Sequence, residues 1–450
     1  MSLLMSKQRI KAFLSFNSKI QRISKVQLHR MTKMFPPIRE AKIDKKIETI
    51  STEPMFDHNI ISSQHSGLFT LLPFGLRAVE KLINIIDAQM KKAGCQKLYL
   101  PHLTSTSLWK KSGRYDDCGS EIFRLHDSKN HEYLLSPTHE EAITSLVSSF
   151  QPLSHSNLPI YVYQISTKFR DEKRSKHGLL RSREFLMKDL YTFDKNLTAA
   201  KDTYKTIVNV YDDLFTNLGI PFKKVKANVG TIGGIKSHEF HVLSDVGEDS
   251  ILSCTSCGFS ANIDVLSDEH LNTCQSCGTA LITKKGIEVG HSFLLGTKYS
   301  VPLSAQFKDE DGFHPMYMGC YGIGITRLLA AGIEVLSTEN QLIWPKNLAP
   351  FKVCLIPPKR GSKEECASHW CYHLEYLINE IANYKDEVVV DDRLKLTVGK
   401  RYNYAKEFGF PIIIIVGKSA VNRIPMFELF QENNKMVLSQ SDLLQYLKTH

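Results

Sequence analysis

Charged and aromatic residues that could bind a nucleotide lie in a predicted hairpin. Residues 169–172 (FRDE) end one predicted strand, and residues 181–185 (RSREF) begin the next. The guanidinium of Arg170 is a planar fork of donors suited to bidentate binding of a phosphate. Glu172 lies two strand positions further on and faces the same side, where its carboxylate can accept from the amine of a base. Phe185 can stack on a purine. The hairpin therefore indicates a nucleotide-binding site and not merely a solvated charged surface.

A glycine-rich segment is the second candidate for ligand binding. Residues 319–327 (GCYGIGITR) read as a strand that runs into a helix. Glycine lets the backbone approach a ligand closely, and Arg327 is available for a terminal phosphate. Alone, the segment would indicate only a glycine-rich turn. Together with the charged hairpin it favours a site that holds a polyphosphate.

Four cysteines have the spacing of a metal site. Cys254 and Cys257 form one C-x-x-C pair, Cys274 and Cys277 form another, and 16 residues separate the pairs. This spacing is typical of a zinc knuckle with four thiolate ligands, which would be structural because no coordination position stays open. The alternative is a pair of thiol-bearing loops that bind no metal.

Periodicity predicts the elements that carry these residues. Apolar residues at three- and four-residue spacing predict a helix over residues 79–90, which Gly94 ends. Strands are predicted at 97–100, 160–170 and 185–193. Further elements complete the first part of the chain: a helix at 201–218, several strands within 237–300, and a strand followed by a helix at 320–336.

The pattern changes near Trp344. From residue 351 strands and helices alternate, at 352–356, 365–384, 387–390, 399–408, 412–416 and 442–447. Such alternation predicts a compact α/β domain of about 100 residues. We place the linker at residues 340–350.

Composition excludes several classes of protein. The chain has 450 residues, of which 42% are hydrophobic and 23% charged, so it is neither disordered nor collagen-like. No run of about 18 apolar residues occurs, so no membrane span is expected. Ten cysteines are too few for a disulfide scaffold and indicate a reducing compartment.

The net charge of +10 is concentrated at the N-terminus. Residues 1–39 contain nine Lys or Arg residues and no Asp or Glu, with serines and apolar residues interspersed. An acid-free, basic, serine-containing segment is typical of a mitochondrial transit peptide. The alternative is a disordered basic arm that binds nucleic acid. The transit peptide would place the mature protein in the mitochondrial matrix.

These motifs together resemble a known family. Residues 169–185 and 319–327 resemble motifs 2 and 3 of class II aminoacyl-tRNA synthetases, and residues 68–81 resemble motif 1. Segments typical of the prolyl-tRNA synthetases follow the same order, namely 135–141 (LSPTHEE), 181–189, 233–240 (GGIKSHEF) and 286–291 (GIEVGH). The similarity extends from about residue 64 to the C-terminus. With its basic leader, the chain is most similar to the mitochondrial members of that family.

The resemblance implies an activity and a set of site residues. The activity is ATP-dependent activation of L-proline to prolyl-adenylate, followed by transfer to tRNA(Pro), with Mg²⁺ on the phosphates. Arg170 and Arg327 would be catalytic. The ATP site would comprise Arg170, Glu172, Arg181, Ser182, Phe185, Glu288, His291 and Arg327. The proline site would comprise Thr138, Glu140, Arg170 and Phe293. The neighbouring His139 and Glu141 are interpreted as structural.

The resemblance also implies an architecture. An α+β catalytic domain with an antiparallel sheet, the class II synthetase fold, would occupy residues 40–345, and a C-terminal α/β anticodon-binding domain would occupy 346–450. A short Cys-rich insertion, 250–285, stands where bacterial relatives carry a large editing domain. Motif 1 would form a homodimer, and no membrane partner is expected. Lys400, Arg401, Tyr402 and Tyr404 are candidates for anticodon contact, or equally an exposed charged helix face.

Three rival interpretations stay open at this stage. One is a synthetase for another amino acid, against which the 135–141 and 286–291 segments argue. Another is a catalytically inactive synthetase-like protein that binds tRNA or serves as an accessory subunit. Such a protein would be expected to lack Arg170 and Arg327, which are present. The third, a basic nucleic-acid-binding module, is suggested only by the net charge.

Overall fold

The chain forms two compact units. The computed structural model describes residues 29–38, 49, 51–117, 119–150, 152–175, 177–266, 271–432 and 434–449. One unit comprises residues 41–350, and the other combines residues 351–450 with the N-terminal segment up to residue 40. The predicted leader falls largely on residues 1–28, which lie outside the described residues.

The strands are β1 (His29–Arg30), β2 (Ile61–His65), β3 (Leu68–Leu71), β4 (Gln96–Lys97), β5 (Leu103–Ser105), β6 (Arg124–His126), β7 (Glu132–Leu135), β8 (Leu153–Ser154), β9 (Ile160–Phe169), β10 (Glu184–Asp194), β11 (Lys223–Lys226), β12 (Lys236–Leu243), β13 (Asp249–Cys254), β14 (Ser260–Asn262), β15 (Leu281–Gly296), β16 (Gln306–Asp309), β17 (Gly312–Pro315), β18 (Tyr317–Gly324), β19 (Val353–Ile356), β20 (Val388–Val390), β21 (Ile412–Ile415), β22 (Met426–Gln431) and β23 (Asn434–Ser439). The helices are α1 (Thr52–Asp57), α2 (Pro73–Lys92), α3 (Thr106–Ser112), α4 (Arg114–Asp117), α5 (Glu140–Ser149), α6 (Leu197–Asn217), α7 (Ile325–Leu336), α8 (His369–Asn379), α9 (Val398–Phe408) and α10 (Gln440–Thr449).

A largely antiparallel sheet forms the centre of the larger unit. Its strand order is β12-β11-β14-β13-β15-β18-β10-β9-β4, and β12 also pairs with β15. Strand β10 lies between β9 and β18 and is antiparallel to both. Helices α6 and α7 pack against β10, β15 and β18. This arrangement confirms the predicted α+β fold with an antiparallel sheet.

Helix α6 shows how the sequence sets an element boundary. The helix begins at Leu197, four residues before the predicted start, because the side chain of Asn196 accepts a hydrogen bond from the backbone N–H of Ala199. Its buried face includes Ile207, Tyr211, Leu214 and Phe215, spaced as a helix packed on a sheet requires.

The smaller unit is built on a mixed sheet. Its strand order is β1-β20-β19-β21-β22-β23, in which the first four strands are parallel and the last two antiparallel to their neighbours. Helices α8, α9 and α10 pack on this sheet. The sequence did not predict the hairpin of β22 and β23, although its alternating apolar residues are a typical hairpin signal.

An N-terminal segment belongs to the smaller unit. His29 and Arg30 pair in parallel with Val389 and Val390 of β20. Residues 29–38 therefore include a strand of this sheet, which covers the hydrogen-bonding edge of β20. The predicted leader of residues 1–39 overlaps this segment.

Ion pairs fix this segment. The Arg30 guanidinium donates to both carboxylate oxygens of Glu375, at 2.6 and 2.9 Å. The Glu375 side chain is only 2% exposed, and its burial raises the pKa of the carboxyl while the Arg30 charge opposes that rise. Thr32 donates to Asp392 through its backbone N–H and its hydroxyl.

Helix α9 corrects part of the anticodon prediction. Arg401 is fully buried and donates to the backbone carbonyls of Asp391 and Pro357. Its guanidinium therefore holds two loops together and is not available to RNA. The ring of Tyr404 lies 4.3 Å from the guanidinium of Arg393. Of the four candidates, Lys400 is exposed.

The ion pair of Arg30 and Glu375 leads to a prediction about the stability of the smaller unit. Arg30→Met leaves a buried carboxylate without its cation, and we expect a loss of about 2–4 kcal/mol in the unfolding free energy of the smaller unit. The double variant Arg30→Met with Glu375→Met should recover most of that loss, since apolar side chains of similar volume replace the pair. Amide hydrogen exchange of β20 in the full chain measures both. Wild-type protection in Arg30→Met would contradict the prediction.

Candidate active site

The charged hairpin is positioned by the register of β9 and β10. Glu184 pairs with Phe169 and Phe185 with Lys168, and the backbone N–H of Arg170 donates to the carbonyl of Arg183. Both candidate segments therefore leave the same end of the sheet. The Arg170 guanidinium carbon lies 5.3 Å from the centroid of the Phe185 ring.

The glycine-rich strand β18 lies beside this hairpin. Met187 of β10 pairs with Gly324, so the start of α7 and its Arg327 lie next to the start of β10. On its other side β18 pairs with β15, which places His291 opposite Gly322 and Phe293 opposite Cys320. Three predicted motifs therefore meet at neighbouring strand positions.

A cavity of about 360 Å³ opens where these elements meet. Nine predicted site residues line it: Thr138, Glu140, Arg170, Ser182, Phe185, Glu288, His291, Phe293 and Arg327. The other two, Glu172 and Arg181, do not line the cavity. They pair with each other at 2.7 Å, and Arg181 also pairs with Glu248.

Two arginines give the cavity a positive region. Arg327 donates to the carbonyls of Leu180 and Glu288, at 2.8 and 3.1 Å. Burial, together with the charge of Arg327, lowers the pKa of Arg170. The two cations raise each other's electrostatic energy, and an anion between them would relieve it. This arrangement suits a phosphate or carboxylate ligand.

An acidic cluster lies beside the arginines. Oxygen and nitrogen atoms of Glu239, Glu288 and His291 all lie within 4.8 Å of one another. Burial would raise the pKa of Glu288, but the hydrogen bond from His291 and the charge of Arg327 lower it below its usual range. Two carboxylates are ligands that Mg²⁺ accepts beside substrate phosphates. The cluster therefore fits a cation held together with a polyphosphate.

A buried carboxylate also lines the cavity. Oε1 of Glu140 accepts from the hydroxyl of Thr138 at 2.8 Å and from the thiol of Cys320 at 3.1 Å. Phe293 is 4% exposed and stacks on His291 with ring centroids 3.8 Å apart. A carboxylate next to an apolar wall suits a ligand with one ammonium and a small hydrocarbon part.

The residues interpreted as structural lie outside the cavity lining. His139 is buried, and its Nδ1 accepts from the ammonium of Lys168 at 2.9 Å. Burial and the Lys168 charge lower its pKa to about 4, so the imidazole is neutral near pH 7. Lys168 in turn pairs with Asp189 at 2.8 Å.

Sequence reasoning missed several lining residues. The loop 228–232 contributes to the lining, as do Met187, Asp189, Glu239 and Cys320. All four of these named residues lie inside segments already singled out, so alternation along the strands was an available signal. The loop 228–232 carried no such sequence signal, because its position depends on the sheet.

The four cysteines come together in two matching turns. Sγ of Cys254 lies 3.4 Å from Sγ of Cys277, and Sγ of Cys257 lies 3.5 Å from Sγ of Cys274. All four sulfurs lie within 4.8 Å of one another. Each pair is followed by a glycine with a left-handed backbone, Gly258 at φ 73° and Gly278 at φ 72°. Left-handed glycines close both turns without steric cost.

The comparison with family models defines the class of protein. Residues 123–336 match the tRNA synthetase class II core domain (G, H, P, S and T), and this range contains the hairpin, the acidic cluster and β18. Class II synthetases use ATP with Mg²⁺. The fold is also similar to that of the crystal structure of prolyl-tRNA synthetase from Cryptosporidium parvum complexed with L-proline and AMP. That match has a TM-score of 0.69 and 19% identity, and covers 89% of this chain and 75% of that chain.

Full-length relatives narrow the class to one family. The probable mitochondrial proline–tRNA ligase of Homo sapiens is 48% identical over 84% of this chain and 80% of its own length. That of Schizosaccharomyces pombe is 39% identical over 81% of this chain and 84% of its own. The proline–tRNA ligase of Ehrlichia canis is 39% identical over 89% and 94%. The chain belongs to the proline–tRNA ligase family, which confirms the predicted activity. These relatives give no support to an inactive accessory protein.

Among the described residues, no helix combines the length and the apolar character that crossing a bilayer requires.

The glycines of β18 lead to a testable prediction. A Cβ at Gly322 would meet only the thioether of Met187, at an ordinary 3.6 Å, so the space above it belongs to the cavity. Gly322→Ala should therefore raise the KM for ATP or proline severalfold while the thermal midpoint stays unchanged.

Gly319→Ala is the matched control within the same strand. A Cβ there would approach the hydroxyls of Tyr321 and Thr192 to 2.5 and 2.7 Å, so this variant should lower the thermal midpoint. Steady-state kinetics and calorimetry measure the two effects. An unaltered KM in a stable Gly322→Ala would show that the ligand does not reach this strand.

Proposed function

We propose that the cavity forms prolyl-adenylate from L-proline and ATP and then transfers the prolyl group to the terminal ribose of tRNA(Pro). The observation that carries this assignment is the presence of Arg170, Arg327 and Glu140 on the lining of one cavity of about 360 Å³. In the first step the proline carboxylate attacks the α-phosphorus and pyrophosphate leaves. Such a step needs alignment and charge neutralisation, and no covalent protein intermediate.

The arginines would align the two substrates. Arg170 would donate to the proline carboxylate and to the α-phosphate, so that both anions share one guanidinium. Arg327 would hold the outer phosphates and, with Phe185, flank the adenine. Glu172 and Arg181 would complete the nucleotide side, where their pairing at 2.7 Å keeps both side chains near the hairpin. Ser182, buried on the cavity lining, would donate its hydroxyl to the nucleotide.

The acidic cluster would hold Mg²⁺ on the phosphates. Glu288 and Glu239 are the carboxylates placed to do so, and His291 contacts Glu288 at 2.9 Å. When bound, Mg²⁺ neutralises phosphate charge in the transition state. On the protein side, His291 would keep the Glu288 carboxylate oriented and anionic.

Glu140 would recognise the amino group of proline. Its carboxylate and the Thr138 hydroxyl would accept from the prolyl ammonium, and Phe293 would contact the pyrrolidine ring. The 3.1 Å contact from Cys320 to Glu140 supports a carboxylate held anionic at the base of the pocket.

The role of Arg170 is tested by its removal. Arg170→Ala should lower the rate of proline-dependent pyrophosphate exchange by about a thousandfold, because a charge-assisted contact made in the transition state is lost. Circular dichroism should show an unchanged fold. Exchange in this variant at the wild-type rate would refute the assignment. Arg124→Ala, an exposed arginine outside the cavity lining, is the control.

We further propose that the four cysteines bind one structural zinc ion. The sulfur separations of 3.4 and 3.5 Å are close to those that four ligands at about 2.3 Å from a tetrahedral ion would have. The two left-handed glycine turns support the same donor set. With four thiolates the ion would join the end of β13 to the start of β15 and take no part in the reaction.

Metal analysis tests the zinc site. The purified chain should contain about one zinc, and Cys277→Ser should lose it together with part of the thermal stability, because zinc binding contributes to folding. Cys366→Ser, which alters another exposed thiol, should keep the metal. Less than about half an equivalent of zinc in the wild-type chain would count against the site.

The remaining assignments concern location and assembly. We propose a mitochondrial matrix enzyme whose leader is cut before His29, since the following residues belong to a sheet. Residues 40–345 would be the catalytic domain and 346–450 the anticodon-binding domain. Motif 1 would form a homodimer, supported by Leu68 and Leu76, which are 39% and 44% exposed.

A further inference from the structure

Two buried carboxylates share one guanidinium next to the cavity. Nη1 of Arg114 lies 3.2 Å from Glu140 and 3.1 Å from Glu141. The side chains of both glutamates are 0% exposed and that of Arg114 is 3% exposed. One guanidinium cannot balance two carboxylates, and an uncompensated buried charge is costly, so the cluster calls for a further positive charge.

Aromatic rings fix the position of Arg114. Its guanidinium carbon lies 4.6 Å from the Trp109 ring centroid and 5.7 Å from that of Tyr299. Arg114 and Glu141 are absent from the cavity lining, whereas Glu140 is part of it. Arg114 can therefore act on a ligand only through Glu140.

The formal charges of Arg114, Glu140 and Glu141 sum to one negative charge. Glu141 also accepts from the hydroxyl of Ser112 at 2.8 Å, and it shares the single cation of Arg114 with Glu140. The neighbouring ammonium of Lys168 pairs with Asp189 at 2.8 Å, and that of Lys298, which also acts on both glutamates, donates to the carbonyl of Thr231 at 3.0 Å. Glu140 thus faces the cavity as a carboxylate whose charge a ligand must balance.

We propose that Arg114 and Glu141 are positioning residues that set the charge of the amino-acid pocket, so that Glu140 stays anionic and selects a ligand ammonium. The proposal rests on the role of Glu140 given above. Without Arg114, two adjacent buried carboxylates would bind a proton between them. Without the Glu141 charge, Arg114 would neutralise Glu140 itself. Either loss weakens the attraction for the prolyl ammonium.

The two substitutions change the charge of the cluster in opposite directions, so a double variant tests the proposal directly. Arg114→Met removes a positive charge and Glu141→Gln a negative one, so the double variant restores the charge of the cluster. We expect each single variant to raise the KM for proline by about tenfold or more, as for a weakened charge-assisted contact. The KM for ATP should stay within about twofold. The double variant should return the KM for proline to within about threefold of wild type.

Pyrophosphate exchange with the full-length enzyme gives both constants, the KM for proline and the KM for ATP. Arg114→Lys, which keeps the charge, should show a smaller rise in the KM for proline than Arg114→Met. Arg124→Met, an exposed arginine off the cavity lining, should leave it unchanged. If Arg114→Met does not fold, the KM for proline of Glu141→Gln still tests the proposal, because this substitution preserves the shape of the side chain.

Two results would overturn the proposal. One is a double variant whose defect equals or exceeds the sum of the single defects, because restoring the charge of the cluster would then have no effect. The other is a normal KM for proline in Glu141→Gln while Glu140→Gln raises it. A normal KM for proline in Glu140→Gln would instead contradict the proposed function of Glu140.

Discussion

The register of β10 between its two antiparallel neighbours is the constraint on which the active site depends. In that register Phe185 pairs with Lys168 and Met187 pairs with Gly324, so the hairpin arginine, the glycine-rich strand and the start of α7 meet at one end of the sheet. Side chains alternate between the two faces of a sheet, so a slip of one residue would turn every lining residue of β10 away from the cavity. Helices α6 and α7, packed on the same strands, make such a slip costly because it would expose their apolar partners.

Given that register, the chemistry follows from buried charge. The cavity lining contains the cations of Arg170 and Arg327 and the carboxylate of Glu140. In the proposed function a small zwitterion binds both kinds of group, with its carboxylate toward Arg170 and its ammonium toward Glu140. The fixed charges need not reorganise as the anhydride forms, and such preorganisation is the usual source of catalytic power in phosphoryl chemistry. An apolar side chain such as Phe293 adds only modest discrimination.

Much of this organisation was predictable from sequence, where residue types and local spacing carry the signal. The hairpin, the glycine-rich strand and the paired cysteines are contiguous motifs, and the alternation of strands and helices in the C-terminal part followed from periodicity. The α+β fold of the larger unit was implied by the resemblance to class II synthetases. What could not be predicted depends on long-range packing. Arg114 is an ordinary arginine until helix α5 brings two glutamates against it. Arg401 looks like an exposed basic residue until two backbone carbonyls surround it. The strand β1 consists of two residues in a basic segment, and its partner lies 360 positions further on.

The strand β1 also bears on the order in which the protein can fold. Arg30 meets Glu375 across 345 positions of sequence, so the sheet of the smaller unit is completed by the first part of the chain to be synthesised and one of the last. Closing so long a loop has an entropic cost that grows only slowly with length, but the closure cannot happen until β20 has been synthesised. As long as β1 is not docked, β20 is an open edge with unpaired backbone groups, which is a template for association with other chains. A fragment that begins at Phe351 would lack β1, so the edge of β20 would stay open permanently. The smaller unit is therefore not a self-contained module, although its residues are nearly continuous in sequence.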